Sequence, residues 1–340
     1  MLRPMPELPV ALDAMGGDRM PDAAVDGAAQ AHAEGVPVVL VGDPDVLAAA
    51  MNERGVDLPV VPAGDVIGMN EHASEIRRRN DASVVVAARE VREERASGFV
   101  SMGHSGATMA AALLVLGRLK GVERPAIVAN VPTQKGDAAL LDVGANADVR
   151  PRMLRQFAVM GAHYARIAFG TEDPSVGLLS IGEEPGKGNE LVRAAHPLLA
   201  ATPGIRFHGN VEGRDVLAGT TDVIVTDGFT GNVVLKLAEG EAKILFGWIR
   251  EAVGSSLRAR LGGLLLKPAL RKVAERLDPS TYGAQPLLGV GAPAFIGHGS
   301  SDARAVRNAL RFAHRTAQER LVPRIAEAMT DLAEVVAAEE

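Results

Sequence analysis

LPVALDAMGGDRMPDAAVDGAAQAHAEGVPVVLVG, residues 8–42, holds the outline of a strand–helix–strand unit. LPVAL (8–12) is a short apolar run, and the polar, glycine-rich turn DAMGGD (13–18) follows it. Pro21 is suited to the first position of a helix, and Gly35 to its end. VPVVLVG (36–42) then reads as the next strand. The same rhythm recurs downstream. GFVSM (98–102), AIVANV (126–131), ALLDVG (139–144), VGLLSIG (176–182) and DVIVTDG (222–228) read as strands, with helical stretches at 105–119, 151–168 and 188–201. Runs that are apolar throughout belong to strands covered on both faces. Strands alternating with helices predict a three-layer α/β/α fold with a mainly parallel sheet. Residues 1–340 read as one large α/β domain with room for two subdomains, without repeats or a disordered linker.

Composition narrows the function classes. The chain has no cysteine, which excludes a disulfide scaffold, a thiolate metal site and a cysteine nucleophile. Aromatic residues are only 3% and the formal charge is −6, so a nucleic-acid surface of stacked rings and basic side chains is not expected. The start, MLRPMPELPVAL, has prolines where an export signal needs an apolar core. No uncharged apolar run approaches a membrane span, so a cytoplasmic protein is expected.

The C-terminal third departs from the alternating pattern. From about Gly231 to Leu277 it is mostly helical, and residues 240–278 read as a helical hairpin. Between 250 and 276 stand Arg250, Arg258, Arg260, Lys267, Arg271, Lys272 and Arg276 against Glu251 and Glu275, a local +5. The apolar LGGLLLKP (261–268), with Leu264, Leu265 and Leu266, lies inside this stretch, and Trp248 precedes it. Gly262, Gly263 and Pro268 suggest the break between the two helices. A basic, apolar-tipped hairpin suits a membrane surface or an acidic partner, and equally a solvated face over a dimer core.

Five polar glycine-rich segments follow strand-like runs: DAMGGD (13–18), SMGHSGAT (101–108), SIGEEPGKGNE (180–190), TDGFTGN (226–232) and GHGSSDAR (297–304). In an open parallel sheet such segments gather along one edge, where ligands bind. Glycine lets the backbone approach a ligand, and the helix starts offer free N–H groups that suit phosphate. The expected phosphate cradle therefore includes Asp13, Gly16, Gly17, Asp18, Gly103, Ser105, Gly106, Asp227, Gly228, Ser300, Ser301 and Arg304. Lys187, between two glycines at a strand end, is the sharpest catalytic candidate, with Asn189 behind it; a lysine there neutralises phosphate or polarises a carbonyl. Lys236, about one turn into the helix after TDGFTGN, and His298, between glycines and ahead of Ser300, complete the set. Each has a plainer reading: aspartates cap helices, and loop histidines and lysines hold turns.

Standard motifs fail. GEEPGKG (182–188) has the wrong spacing for a P-loop and no Ser or Thr after its lysine, and GVGAPA (289–294) contains Pro293 and runs into a strand-like AFI. GHSGA (103–107) is a near miss to a nucleophile elbow, which keeps a Ser105 hydrolase as an alternative. The histidines are scattered, so no metal site is expected.

These segments, taken in order, resemble the PlsX family of fatty acyl-ACP:phosphate acyltransferases. The resemblance spans about residues 9–315. It rests on ALDAMGGD (11–18), LGRLKGVERPAI (116–127), DVGAN (142–146), QFAVMG (156–161), GLLSIGEE (177–184), KGNELV (187–192), GNVEGRD (209–215), DGFTGNVVLK (227–236), YGAQPLLG (282–289) and HGSSDAR (298–304). The family usually carries an Asn-Thr pair where this chain has His104-Ser105, which argues against Ser105 as a nucleophile. The resemblance implies a fold like the isocitrate and isopropylmalate dehydrogenases, a homodimer, and no cofactor. It implies acyl transfer from acyl carrier protein to inorganic phosphate, feeding phospholipid synthesis and a downstream glycerol-3-phosphate acyltransferase. It also implies a peripheral contact with the inner face of the cell membrane through the hairpin. The basic hairpin residues and Trp248 suit either lipid or the acidic carrier.

The implied chemistry needs little acid or base. Phosphate is substantially ionised near neutral pH, as phosphorylated side chains with a second pKa of about 6 also are, and a leaving thiol has a reference pKa of about 8.5. The tasks left are to align phosphate with the thioester and to stabilise the oxyanion, roles that suit Lys187, Asn232 and the HGSSDAR helix start. Two other classes remain as alternatives: an NAD- and metal-dependent hydroxyacid dehydrogenase with Asp227 as a ligand, and a non-catalytic membrane scaffold.

Overall fold

The computed structural model describes residues 7–339. Its strands are β1 (Val10–Asp13), β2 (Val38–Gly42), β3 (Val60–Pro62), β4 (Gly98–Ser101), β5 (Ala126–Thr133), β6 (Gly136–Leu141), β7 (Ser175–Leu179), β8 (Arg206–Val211), β9 (Val223–Val225), β10 (Gln285–Leu288) and β11 (Ala294–Ile296). They form one sheet in the order β3-β2-β1-β4-β11-β10-β5-β6-β9-β7-β8. Every expected apolar run is a strand. The sheet is mainly parallel; β10 is antiparallel to β11 and β5, and β5 is antiparallel to β6.

The helices are α1 (Asp22–Ala33), α2 (Pro44–Arg54), α3 (Ser83–Arg92), α4 (Ser105–Ala111), α5 (Pro151–Ala168), α6 (Glu190–Ala200), α7 (Gly213–Ala218), α8 (Gly228–Gly254), α9 (Leu257–Leu277), α10 (Ala303–Gln318) and α11 (Leu321–Glu339). The expected helix over 105–119 is shorter, because α4 passes into one π-helical turn at Ala112–Leu116 and Gly117 takes φ +74°.

Strand alternation sorts side chains into two layers of core. Val10 and Leu12 of β1 pack with Val25 of α1 and Val306 and Leu310 of α10, while Ala11 joins Val84 and Ala87 of α3 on the other face. In the other half, Leu141, Val223 and Val225 pack with Phe157 and Tyr164 of α5, and Leu140 and Ile224 face Val216 of α7. Helices on both faces make the three-layer α/β/α architecture.

Two edge strands, β3 and β8, lie outside the sequence expectation for a physical reason. Arg206, Phe207 and His208 of β8 are not buried, and β3 ends in Pro62, so neither shows the apolar run of an inner strand.

Strand direction corrects the expectation of a single loop-bearing edge. β1–β4, β11 and β5 run one way, and β6, β7, β8 and β9 run the other, because β5 and β6 form an antiparallel hairpin. The glycine-rich loops therefore leave the sheet in two groups, at opposite ends of the strands.

α8 and α9 form the expected hairpin, but its turn is elsewhere. The chain reverses at Ser255–Ser256, where Ser256 Oγ accepts the Ala259 amide at 3.1 Å, a helix cap. Gly262, Gly263 and Pro268 all lie inside α9. A Cβ on Gly263 would stand 2.3 Å from Val253 Cγ1, so this glycine permits close approach of two helices rather than a break. Leu264, Leu265 and Leu266 thus lie along the shaft of α9, not at the tip. None of the residues described in α9 is buried, and Trp248 is 65% exposed. Among the described residues, no helix is long and apolar enough to cross a membrane.

Candidate active site

The first loop group follows β1, β4 and β11, which are neighbours. Asp13 is buried at the end of β1 and accepts the Met15 and Gly16 amides at 3.2 and 3.1 Å and the Ser101 hydroxyl at 2.7 Å. It ties the first loop to the second. Gly16 and Gly103 meet so closely that a Cβ on Gly16 would stand 2.6 Å from Asp13 Oδ2 and 3.0 Å from Gly103 Cα. Gly17 has φ +119°, and the Asp18 amide donates to the Gly299 carbonyl at 2.8 Å, bringing in the third loop.

Within this group the polar side chains divide into braces and free groups. His104 Nδ1 accepts the Ala107 amide at 3.2 Å as a helix cap, beside Gly106. Ser105 is exposed and has no hydrogen-bonded base among the described residues, so an elbow nucleophile finds no support. Arg304 donates to Asp278 and Thr281 at 3.1 and 3.2 Å, bracing α10 against the end of the hairpin. His298, Ser300 and Ser301 instead line a cavity.

The second group follows β6, β9 and β7. Asp142 ends β6 and accepts the amides of Ile127, Gly144, Ala145 and Asn146 at 2.7–3.2 Å, plus Asn146 Nδ2 at 2.9 Å. Burial pushes its pKa up against the pull of these bonds. The Asn146 carbonyl accepts the Gly228 amide at 2.8 Å, so DVGAN and DGFTGN are locked together. Asp227 caps α8 through the Thr230 amide and hydroxyl, both at 2.8 Å, leaving its carboxylate engaged rather than open to a metal.

Lys187 lies in the loop after β7, beside the loop after β9, and its side chain is exposed without an ion pair among the described residues. Asn189 Oδ1 accepts the Val192 amide at 2.9 Å, which is the helix-capping role. In the same region, Ser180 Oγ and Asn210 Oδ1 are buried without a hydrogen-bond partner, while Asn210 Nδ2 donates to the Glu184 carbonyl at 2.8 Å. Buried polar atoms of this kind are ordinarily satisfied by a protein partner or an ordered water.

α8 bridges the two groups. It starts at Asp142–Asn146 and carries Asn232, Lys236, Glu239 and Lys243 at spacings of four, three and four, one face of a helix. From Gly228 to Lys236 it advances ~12 Å. There Lys236, Glu239, Lys243, Ser280, His298, Ser300 and Ser301 line a cavity of about 550 Å³. Lys236 Nζ is 3.4 Å from Glu239 Oε2.

His298 and Glu239 also border a second cavity of about 320 Å³, whose other walls include Val128, Val131, Leu235, Leu245 and Ile296. An apolar chamber thus adjoins a polar one. Burial, aided by the Lys236 charge, lowers the His298 pKa and keeps the imidazole neutral near pH 7. Glu239 and the apolar walls were not among the sequence candidates. Glu239 has one signal, its spacing from Lys236; the walls come from five separate segments and have none.

A model of the fatty acid synthesis protein family matches residues 8–324. A phosphate acyltransferase of Thermus thermophilus is 58% identical over 323 residues, 95% of this chain and 99% of that protein. One of Deinococcus radiodurans is 57% identical over 292 residues, 84% of this chain and 81% of that protein. Among solved structures, a phosphotransacetylase from Streptococcus pyogenes superposes with TM-score 0.63 at 17% identity, covering 92% of this chain and 94% of that one. A 4-hydroxythreonine-4-phosphate dehydrogenase from Klebsiella pneumoniae gives TM-score 0.53 at 13% identity, covering 92% and 100%. The structural likenesses bear on the fold, and the near full-length sequence identity settles the family. The chain belongs to the fatty acid synthesis protein family, the PlsX family of acyltransferases that its own motifs resemble.

Proposed function

We propose that the protein transfers a fatty acyl group from acyl carrier protein to inorganic phosphate, releasing free carrier and an acyl phosphate for phospholipid synthesis. The observation that carries this reading is the apolar chamber sharing His298 and Glu239 with the Lys236–Ser300–Ser301 chamber. A fatty chain suits the first and phosphate the second, so a thioester carbonyl at their boundary meets its nucleophile.

A phosphate oxygen attacks the thioester carbon, the carbonyl electrons move onto oxygen, and their return expels the thiolate. Carbon–oxygen bond formation and carbon–sulfur bond cleavage balance without a cofactor. Lys236 and the hydroxyls of Ser300 and Ser301 hold phosphate charge. Asn232, one turn before Lys236, supplies a donor to the oxyanion; Lys187, which lines neither chamber and lies with the loops at the opposite strand ends, keeps the donor role its sequence suggests. Neutral His298 offers one ring N–H and one acceptor at the boundary. Held donors of this kind lower a barrier by about 3–4 kcal/mol each.

Within the same reading the protein is a cytoplasmic homodimer resting on the inner face of the membrane through the hairpin, and a glycerol-3-phosphate acyltransferase consumes the product. The test is thiol release from acyl carrier protein substrate with and without phosphate. Release that requires phosphate and no NAD is expected. Phosphate-independent release would instead indicate a hydrolase and sink the proposal.

A further inference from the structure

Outside the two chambers lies an arginine-walled cavity of about 560 Å³. It is bounded by Arg118, Glu123, Arg124, Asp148, Val149, Arg150 and Met153. These residues come from the loop that enters β5 and from the start of α5. Both lie at the sheet end that carries DVGAN, DGFTGN and the Lys187 loop, because β5 begins where β6 ends.

The cavity is rigidly built. Gln156 of α5 accepts the Glu123 amide at 2.9 Å and donates to the Gly121 carbonyl at 2.8 Å, while Asn146 donates to the Pro125 carbonyl at 2.7 Å. Arg118 donates to the Glu123 carbonyl. The Glu123 carboxylate is taken by Arg152 at 2.6 Å. Arg124 and Arg150 are exposed and have no carboxylate within ion-pair distance among the described residues, although Asp148 shares the wall. Three cationic side chains, Arg118, Arg124 and Arg150, line the cavity against two acids, Glu123 and Asp148, in a chain whose net charge is −6.

We propose that this arginine cavity is the surface on which the acidic carrier protein docks to present its thioester. The inference rests on the carrier-bound donor of the proposed function. Charge complementarity selects the occupant: planar, unpaired guanidinium groups on a firm frame suit surface carboxylates. Position sets aside the outer part of the basic hairpin, with Arg258 and Arg260 near its turn; its base, with Lys243, Leu245 and Leu277, belongs to the chambers themselves. The hairpin turn at Ser255–Ser256 is ~28 Å along α8 from Lys236, whereas the arginine loop is hydrogen-bonded to Asn146, whose carbonyl holds the first residue of α8.

The test uses the full chain with Arg124→Glu and Arg150→Glu together, and a second form with both changed to Gln. Both side chains are exposed, and a circular dichroism melt confirms the fold. Binding of apo carrier protein, which bears no thioester, is measured by titration at low and high salt. The glutamate form is expected to bind at least about tenfold more weakly at low salt, the glutamine form by less, with the difference shrinking as salt rises. In turnover, KM for the carrier-bound donor rises while kcat, KM for phosphate and the rate with a carrier-free acyl thioester hold. Unchanged carrier binding overturns the assignment. So does a rise in KM for phosphate alone, which makes the cavity a free-phosphate subsite, or loss of carrier binding on Arg258→Glu with Arg260→Glu instead. Wild-type protein that binds carrier here yet releases no thiol with phosphate refutes the proposed reaction, not the docking surface.

Discussion

At the residue scale, close approach decides as much as charge. Gly231 packs its Cα against the end of β6, and a Cβ there would stand 1.9 Å from the Asp142 carbonyl oxygen, a backbone atom that cannot swing away. Gly231→Ala is therefore expected to cost about 3 kcal/mol of stability, the upper part of the overpacking range, read as a lowered urea midpoint. Lys187 makes the opposite case. Its side chain is exposed and unpaired, so its removal leaves packing intact. Lys187→Ala is expected to lower kcat by about 10²–10³ with an unchanged melt, and near-normal turnover would remove it from the chemistry. The sequence marks both residues, one as a glycine in a turn and one as a lysine between glycines. It does not reveal that Asp13, Asp227 and Asn189 spend their side chains on backbone amides, because capping and catalysis call for the same residue types.

At the scale of elements, α5 shows how burial sets pH response. Burial, reinforced by the charges of Arg166 and Arg324, pulls the His163 pKa down to about 4. In the unfolded chain an imidazole titrates near ~6.5. Between these values the unfolded state binds a proton that the folded state refuses, so stability rises with pH through that window and levels above it. Thermal melts from pH 4.5 to 7.5 should show this rise, and His163→Leu should flatten it; an unaltered slope would refute the assignment. The hairpin shows where helix-breaking residues mislead. Gly262, Gly263 and Pro268 look like a stop, yet α9 runs through all three, because Val253 needs the space left by Gly263 and Ser256 supplies the cap elsewhere.

At the scale of the molecule, an exposed apolar shaft on a charged hairpin calls for a covering surface. Leu264, Leu265 and Leu266 are 67%, 83% and 57% exposed, with basic side chains around them. Changing the three to Ser is expected to reduce flotation with anionic liposomes, and unchanged flotation would take the hairpin shaft out of membrane contact. The sheet reversal has a wider consequence. It sends the glycine-rich loops to two ends of the strands and leaves α8 to connect them, so the candidate site is a cleft along a helix rather than a rim of turns. What the sequence determined by itself was the layered α/β architecture, most inner strands though not β10, the helical hairpin and the family, since periodicity, apolar runs and ordered motifs are local properties of the chain. What the tertiary structure decided was which loops share an end, where the hairpin turns and which walls enclose the apolar chamber. Those depend on strand direction and on bringing together residues more than a hundred positions apart, such as Val128 and Ile296 in the lining of one cavity, and no local pattern encodes them.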